Sequence, residues 1–98
     1  MSRPNIEFIA DLETIIRARL DTAGDESYTA RLAAAGTRRI AQKVGEEGVE
    51  LALASSAGDQ QEIIDEAADL VYHLLVLLAD AGLSLEDVAM RLEARHSA

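Results

Sequence analysis

Two stretches of this 98-residue chain combine residue type and spacing in a way that can do chemistry: Lys43-Val-Gly-Glu46-Glu47-Gly-Val-Glu50, and Glu66-Ala-Ala-Asp69. Glu47 and Glu50 stand three residues apart, as do Glu66 and Asp69. On a helix that spacing puts each pair on one face, with Cβ atoms about 5–6 Å apart. At about 100° per residue, Lys43, Glu46, Glu47 and Glu50 share one arc, and Glu62, Glu66, Asp69 and His73 share another on a second helix. A single E-x-x-E is ordinarily a solvated surface, because Glu is a good helix former. Two such pairs on consecutive helices, with Ile63 and Leu70 beside the second, read differently. Carboxylates at the edge of an apolar stripe must be paired, protonated or metal-bound. Lys43 alone cannot neutralise the five acids Glu46, Glu47, Glu50, Glu66 and Asp69. A hard divalent cation with oxygen ligands fits, and Mg2+ characteristically combines carboxylates with substrate phosphates. A di-iron carboxylate site is the rival, but it needs Glu-x-x-His on two helices. Here the third residue after Glu66 is Asp69, and His73 taken alone reads as a core histidine. His96 carries no signal.

The elements that must position these faces are all helices. Asn5 is the expected cap of a first helix running to about Leu20, with Ile6, Ile9, Leu12, Ile16 and Leu20 along one side. Asp21 to Ser27 reads as a loop, and Tyr28 to Ala35 as a short helix stopped by Gly36. Thr37 is the expected cap of a long helix to about Ala57, closed by Gly58. Asp59, with Glu62 completing a capping box, opens a helix that reaches Ala81 before Gly82. Ser84 and Asp87 open a last helix through about Arg95. The turn at Gly58 folds the third and fourth helices back on each other, so the two acidic faces can meet. No strand signal, repeat or low-complexity segment is visible. The expected fold is an all-α bundle of about five helices, forming one domain over residues 1–98.

Composition agrees. Hydrophobic residues make up 49 % of the chain but aromatics only 3 %, an Ala/Leu/Ile/Val mixture that suits helices more than strands. The absence of cysteine excludes disulfides, thiolate zinc sites and Cys nucleophiles. A net charge of −9 argues against nucleic acid or an anionic membrane as partner, since phosphate backbones are bound by Lys and Arg. It does not exclude a small anionic ligand bridged by a metal ion. Glu7, Asp11 and Glu13 break any signal-peptide core, and the apolar run from Leu70 to Ala79 is about half a membrane span. A soluble, cytoplasmic protein is expected. The helix from Asp59 to Ala81 is apolar around most of its circumference, with Val76 and Leu77 expected to face outward. A small chain offers few partners for it, so a two-fold homodimer is expected to complete the bundle.

The residues resemble a known family. E-x-x-E followed by E-x-x-D, here Glu47/Glu50 and Glu66/Asp69, is similar to the all-α nucleoside triphosphate pyrophosphatases (MazG-like). Ser27-Tyr28-Thr29, Lys43-Val-Gly-Glu46-Glu47, Glu50 and Glu66-Ala-Ala-Asp69-Leu-Val-Tyr72-His73, followed by Leu-Leu-Val-Leu-Leu, resemble the phosphoribosyl-ATP pyrophosphatases of histidine biosynthesis. The likeness runs from about Ser27 to Arg95. One departure is Gly48, where that family usually has Ala after the paired glutamates.

The resemblance implies Mg2+-dependent hydrolysis of the α–β phosphoanhydride of 1-(5-phosphoribosyl)-ATP to 1-(5-phosphoribosyl)-AMP and pyrophosphate. Glu47, Glu50, Glu66 and Asp69 would then hold the metal, and Glu46 would orient or deprotonate a water. Lys43 would meet phosphate as a point charge, with Arg38 and Arg39 on the outer phosphates. The resemblance adds Ser27, Tyr28, Thr29 and His73 to the substrate contacts. Spacing alone reads Ser27 as a helix cap and Tyr28 as a packed aromatic. Two other readings keep the same carboxylates: a housecleaning pyrophosphatase of nucleoside triphosphates, and a non-catalytic helical interaction module whose acids serve solubility.

Overall fold

The structure, a computed structural model, describes residues 5–21 and 27–97, and among these it has five helices and no strand. They are α1 (Phe8–Leu20), α2 (Tyr28–Ala35), α3 (Thr37–Ala57), α4 (Gln60–Asp80) and α5 (Leu85–His96). Of the expected loop from Asp21 to Ser27, positions 22–26 lie outside the described residues.

α3 and α4, each 21 residues long, run for about 32 Å and form the main pairing of the fold. Gly58 makes this hairpin possible. Its φ of +78° is left-handed, and its N–H reaches the carbonyls of Ala54 (3.1 Å) and Ser55 (3.2 Å), closing orphaned acceptors at the helix end. α1 packs on α4, and α2 fills the corner between α1 and α3. The core where they meet is Ile16, Leu32, Ile40, Leu75 and Val76, with Ile9, Leu12, Val71 and Tyr72 packed around it.

Three caps differ from the sequence expectation. Asn5 lies one turn early: its Oδ1 accepts from Glu7 N–H at 2.8 Å, and Glu7 holds the cap position without a side-chain bond. Gly36, not Thr37, caps α3, because it serves both helices at once with a φ of +98° that a β-branched residue could not adopt. Thr37 is thereby freed, and its hydroxyl donates to Asp80 Oδ2 at 2.7 Å, tying the start of α3 to the end of α4. Asp59 caps α4 from one side only, accepting from Gln61 and Glu62 N–H, with no return bond from the Glu62 side chain. Ser84 and Asp87 do form the reciprocal box that opens α5.

Burial on α4 also corrects the expected outward face. Val76 is fully buried within the single chain and Leu77 packs against the same core, because α1 covers that side of α4. Among the described residues, large apolar side chains that are exposed include Val49 and Leu53 on α3, Ile64 on α4, Met90 and Leu92 on α5, and Phe8 and Ile15 on α1. α5 carries no buried residue and turns off α4 at 103°. Among the described residues no single helix is long and apolar enough to cross a membrane.

Candidate metal centre

The face-to-face arrangement expected of α3 and α4 is present. Glu47 comes from α3, Glu66 and Asp69 from α4, and one carboxylate oxygen of each lies within 4.8 Å of the other two. Glu50, one turn beyond Glu47, is not one of the three converging acids but acts on the Glu66 carboxyl. The i, i+3 spacing on each helix and the hairpin between them account for this convergence.

The electrostatics of the cluster are unbalanced. Glu47 is only 5 % exposed, yet among the described residues its single cation is Lys43, whose Nζ stands 3.3 Å from Oε1. Its other oxygen, Oε2, is buried without a hydrogen-bond partner, and so is Oε2 of Glu66. Buried carboxylate oxygens without donors are rare because each forfeits its hydration with no replacement. The Glu66 carboxyl is pushed up to about 7, first by loss of solvent, then by its hydrogen bond and repulsion with Glu50 and by the charges of Glu47 and Asp69. The Lys43 ammonium is raised above the ordinary lysine range, chiefly by its hydrogen bond to Glu47, against a smaller opposing effect of burial.

Acids crowded together with orphaned oxygens suit a hard cation. A divalent ion satisfies several carboxylate oxygens at once and removes their mutual repulsion. Glu47, Glu66 and Asp69 are placed to hold it, with Glu50 adjoining.

Glu46 lies elsewhere. Its carboxylate accepts from Gln42 Nε2 at 3.0 Å and faces Lys43 Nζ at 3.7 Å and Arg39 Nη1 at 4.0 Å. It gathers cations on the flank of α3 and is not one of the three converging acids. Arg39 is thus brought to the rim. Arg38 is exposed, makes no ion pair among the described residues, and lies about 100° around the helix from Arg39.

α2 meets α4 through two successive contacts. The Tyr28 hydroxyl is 2.7 Å from His73 Nε2, and the Thr29 hydroxyl bonds that of Tyr72. His73 is buried, and its Nδ1 is 2.8 Å from the backbone carbonyl of Asp69. Since a carbonyl only accepts, Nδ1 carries the proton and Nε2 accepts from Tyr28. The three rings cluster, with His73 edge-on to Tyr28 (centroids 5.7 Å apart) and to Tyr72 (5.3 Å). Ser27 caps α2, its hydroxyl accepting from Ala30 N–H at 3.0 Å, and Thr29 is buried. Tyr28 is the exposed member of its motif, close enough to Lys43 to help raise that ammonium.

The motif reading missed Gln42, and it included Tyr72 in the signature without giving it a partner. Gln42 was visible as an i, i+4 partner of Glu46. The Thr29–Tyr72 contact joins residues far apart in the chain, and local spacing carries no signal of it.

Comparison with known proteins places this geometry. The profile of a family described as phosphoribosyl-ATP pyrophosphohydrolase matches residues 9–96. A Campylobacter jejuni protein named histidine biosynthesis bifunctional protein HisIE is 59 % identical over 91 residues, covering 93 % of this chain and 44 % of that protein. Proteins of the same name from Photobacterium profundum (53 % over 95 residues, 97 % and 46 % covered) and Pasteurella multocida (55 % over 96 residues, 98 % and 48 %) are similar in the same way. The chain spans less than half the length of these curated relatives.

Proposed function

Because the chain belongs to the phosphoribosyl-ATP pyrophosphohydrolase family, we propose that it hydrolyses the α–β phosphoanhydride of 1-(5-phosphoribosyl)-ATP. The products are 1-(5-phosphoribosyl)-AMP and pyrophosphate, a step of L-histidine biosynthesis carried out in the cytoplasm. The cofactor is Mg2+, held by Glu47, Glu50, Glu66 and Asp69. The observation that carries this reading is the pair of buried, partnerless oxygens, Glu47 Oε2 and Glu66 Oε2, in a group of acids confined within 4.8 Å.

When bound, Mg2+ neutralises the polyphosphate and the charge that develops on the departing pyrophosphate. The chain supplies the rest. Lys43, steadied by Glu47, presents its ammonium to phosphate as a point charge. Glu46 draws Arg39 to the same rim, so that outer phosphate oxygens meet a guanidinium, with Arg38 one position back within reach of the solvent side. Water attacks phosphorus, its oxygen forming the new P–O bond as the bridging oxygen leaves with pyrophosphate. Its proton passes to a carboxylate of the cluster. Glu46, already engaged by Gln42, Lys43 and Arg39, is better suited to holding cations than to taking that proton.

The working unit is a homodimer. The accessible surface of the chain, 7138 Å², exceeds the roughly 5,400 Å² of a compact monomer of this mass. The radius of gyration of 14.8 Å is likewise above the roughly 13 Å of a compact domain this long. Part of the exposed surface is apolar on the two long helices, at Val49, Leu53 and Ile64, which a second copy would cover.

Pyrophosphate release tests the reaction. Phosphoribosyl-ATP should be cleaved with Mg2+ present and not with chelator, and far faster than ATP or dUTP. Preference for ordinary nucleoside triphosphates would assign the site to housecleaning, and no metal-dependent release from any of them would leave a helical interaction module.

A further inference from the structure

Outside the metal cluster, His73 is one of the buried polar groups among the described residues. Both of its ring nitrogens are engaged: Nδ1–H donates to the Asp69 carbonyl at 2.8 Å, and Nε2 accepts the Tyr28 hydroxyl at 2.7 Å. Two bonds to one imidazole set its tautomer and its orientation together. The carbonyl it grips belongs to Asp69, whose own carboxylate converges with Glu47 and Glu66. Tyr28 stands at the start of α2, 45 residues away in sequence from His73. The next residue, Thr29, is 1 % exposed and bonds Tyr72, the neighbour of His73. Two consecutive residues of α2 are therefore fastened to two consecutive residues of α4, one turn beyond the metal-facing acid. A packing role alone requires neither the second nitrogen nor the hydroxyl, since Phe and an apolar residue would fill the same space without stranding a polar group on the buried His73 side of this part-buried pair.

We propose that Tyr28 and His73 form a positioning pair: the Tyr28 hydroxyl fixes the His73 ring, the ring holds the Asp69 carbonyl, and the segment of α4 carrying Asp69 is thereby set for metal binding. Neither side chain touches the metal or the reacting phosphate in this arrangement. The pair acts through Asp69, and the start of α2 becomes part of the apparatus that shapes the cluster. The inference rests on the proposed metal site, not on the identity of the nucleotide.

The test compares the unaltered chain with Tyr28→Phe, His73→Gln and His73→Asn. Mg2+ affinity is measured by calorimetry, and kcat and KM by pyrophosphate release from phosphoribosyl-ATP. Groups that orient a metal ligand from behind it typically change metal affinity or activity by about 10–100-fold when lost. Tyr28→Phe should weaken Mg2+ binding about tenfold and lower kcat with little change in KM. His73→Gln, which cannot keep both bonds, should do the same or more. His73→Asn, whose amide can still donate near the Nδ1 position, should recover part of the Mg2+ affinity. Wild-type Mg2+ affinity in both Tyr28→Phe and His73→Gln, with only a lowered Tm, would overturn the proposal. A rise confined to KM in Tyr28→Phe would overturn it too, since that result marks a direct substrate contact. If the unaltered chain binds Mg2+ but does not cleave phosphoribosyl-ATP, the proposed reaction fails while the affinity comparison still decides the pair.

Discussion

Two largely buried glutamates, Glu13 on α1 and Glu47 on α3, make an instructive contrast. Their side chains are 15 % and 7 % exposed. Glu13 accepts from Leu85 N–H at 2.6 Å and has Arg17 at 3.9 Å, while Arg17 donates to the Leu83 carbonyl at 2.9 Å. That acid closes the first turn of α5 and fastens α5, which buries nothing of its own, to α1. Glu47 has Lys43 on one oxygen, nothing on the other, and two further acids nearby. Burial alone does not distinguish a structural carboxylate from a functional one. The distinction lies in whether an oxygen is left buried without a donor: both contacts of Glu13 fall on its Oε2, and its Oε1 is not among the buried, partnerless oxygens, whereas Glu47 Oε2 is.

Substitutions should separate the two regions most sharply. Asp69→Asn and Glu50→Gln should lower kcat by more than about 100-fold, beyond the loss typical of groups that only orient a ligand. Their Tm in metal-free buffer should be unchanged or raised, because a repelling charge is gone. Glu13→Ala should behave oppositely. It should lose about 1–3 kcal/mol of stability, the cost of stranding the Leu85 N–H and loosening Arg17, and keep its Mg2+ affinity. Denaturant melts beside single-turnover assays read both outcomes, and an unstable but active Asp69→Asn would erase the contrast.

Assembly comes next in size. Leu53→Asp, at an exposed apolar position, should give a monomer by light scattering with reduced activity, whereas Val76→Asp should fail to fold because Val76 is buried within one chain. A fully active Leu53→Asp monomer would show that the single chain suffices.

The contrast extends to ligand and pH. Mg2+ at 100 times its Kd should stabilise the native chain by about 2.7 kcal/mol, since it binds only the folded state, and should do nothing for Asp69→Asn. The pH dependence has a definite sign. The Glu66 carboxyl is raised from 4.5 to about 7 in the folded chain, so between those values the native state holds a proton that the unfolded chain has released. Metal-free stability should therefore fall as pH rises through that window, and Mg2+ affinity should rise through it, because binding requires the carboxylate. Thermal melts of the metal-free chain at several pH values give the first, and a flat profile would contradict it.

Helix boundaries and the convergence of acids were legible in the sequence because both are local: glycines and i, i+3 spacing sufficed to bring Glu47, Glu66 and Asp69 to facing sides of α3 and α4. Long-range pairing was not. That Val76 faces inward depends on where α1 lies, and that Thr37 bonds Asp80 depends on Gly36 taking the cap. The partners of Glu13, Tyr28 and Thr29 come from helices far along the chain. Glu46 illustrates the intermediate case: its arc was correct, but Gln42 and Arg39 turn its carboxylate toward the flank.

The orphaned oxygens of Glu47 and Glu66 are tested most directly by calorimetric titration of Mg2+ into metal-free protein at a pH above 7, alongside Glu66→Gln. Saturable binding in the unaltered chain that is abolished or greatly weakened in Glu66→Gln is the predicted result. The absence of binding in the unaltered chain, or equal binding in both, would contradict it.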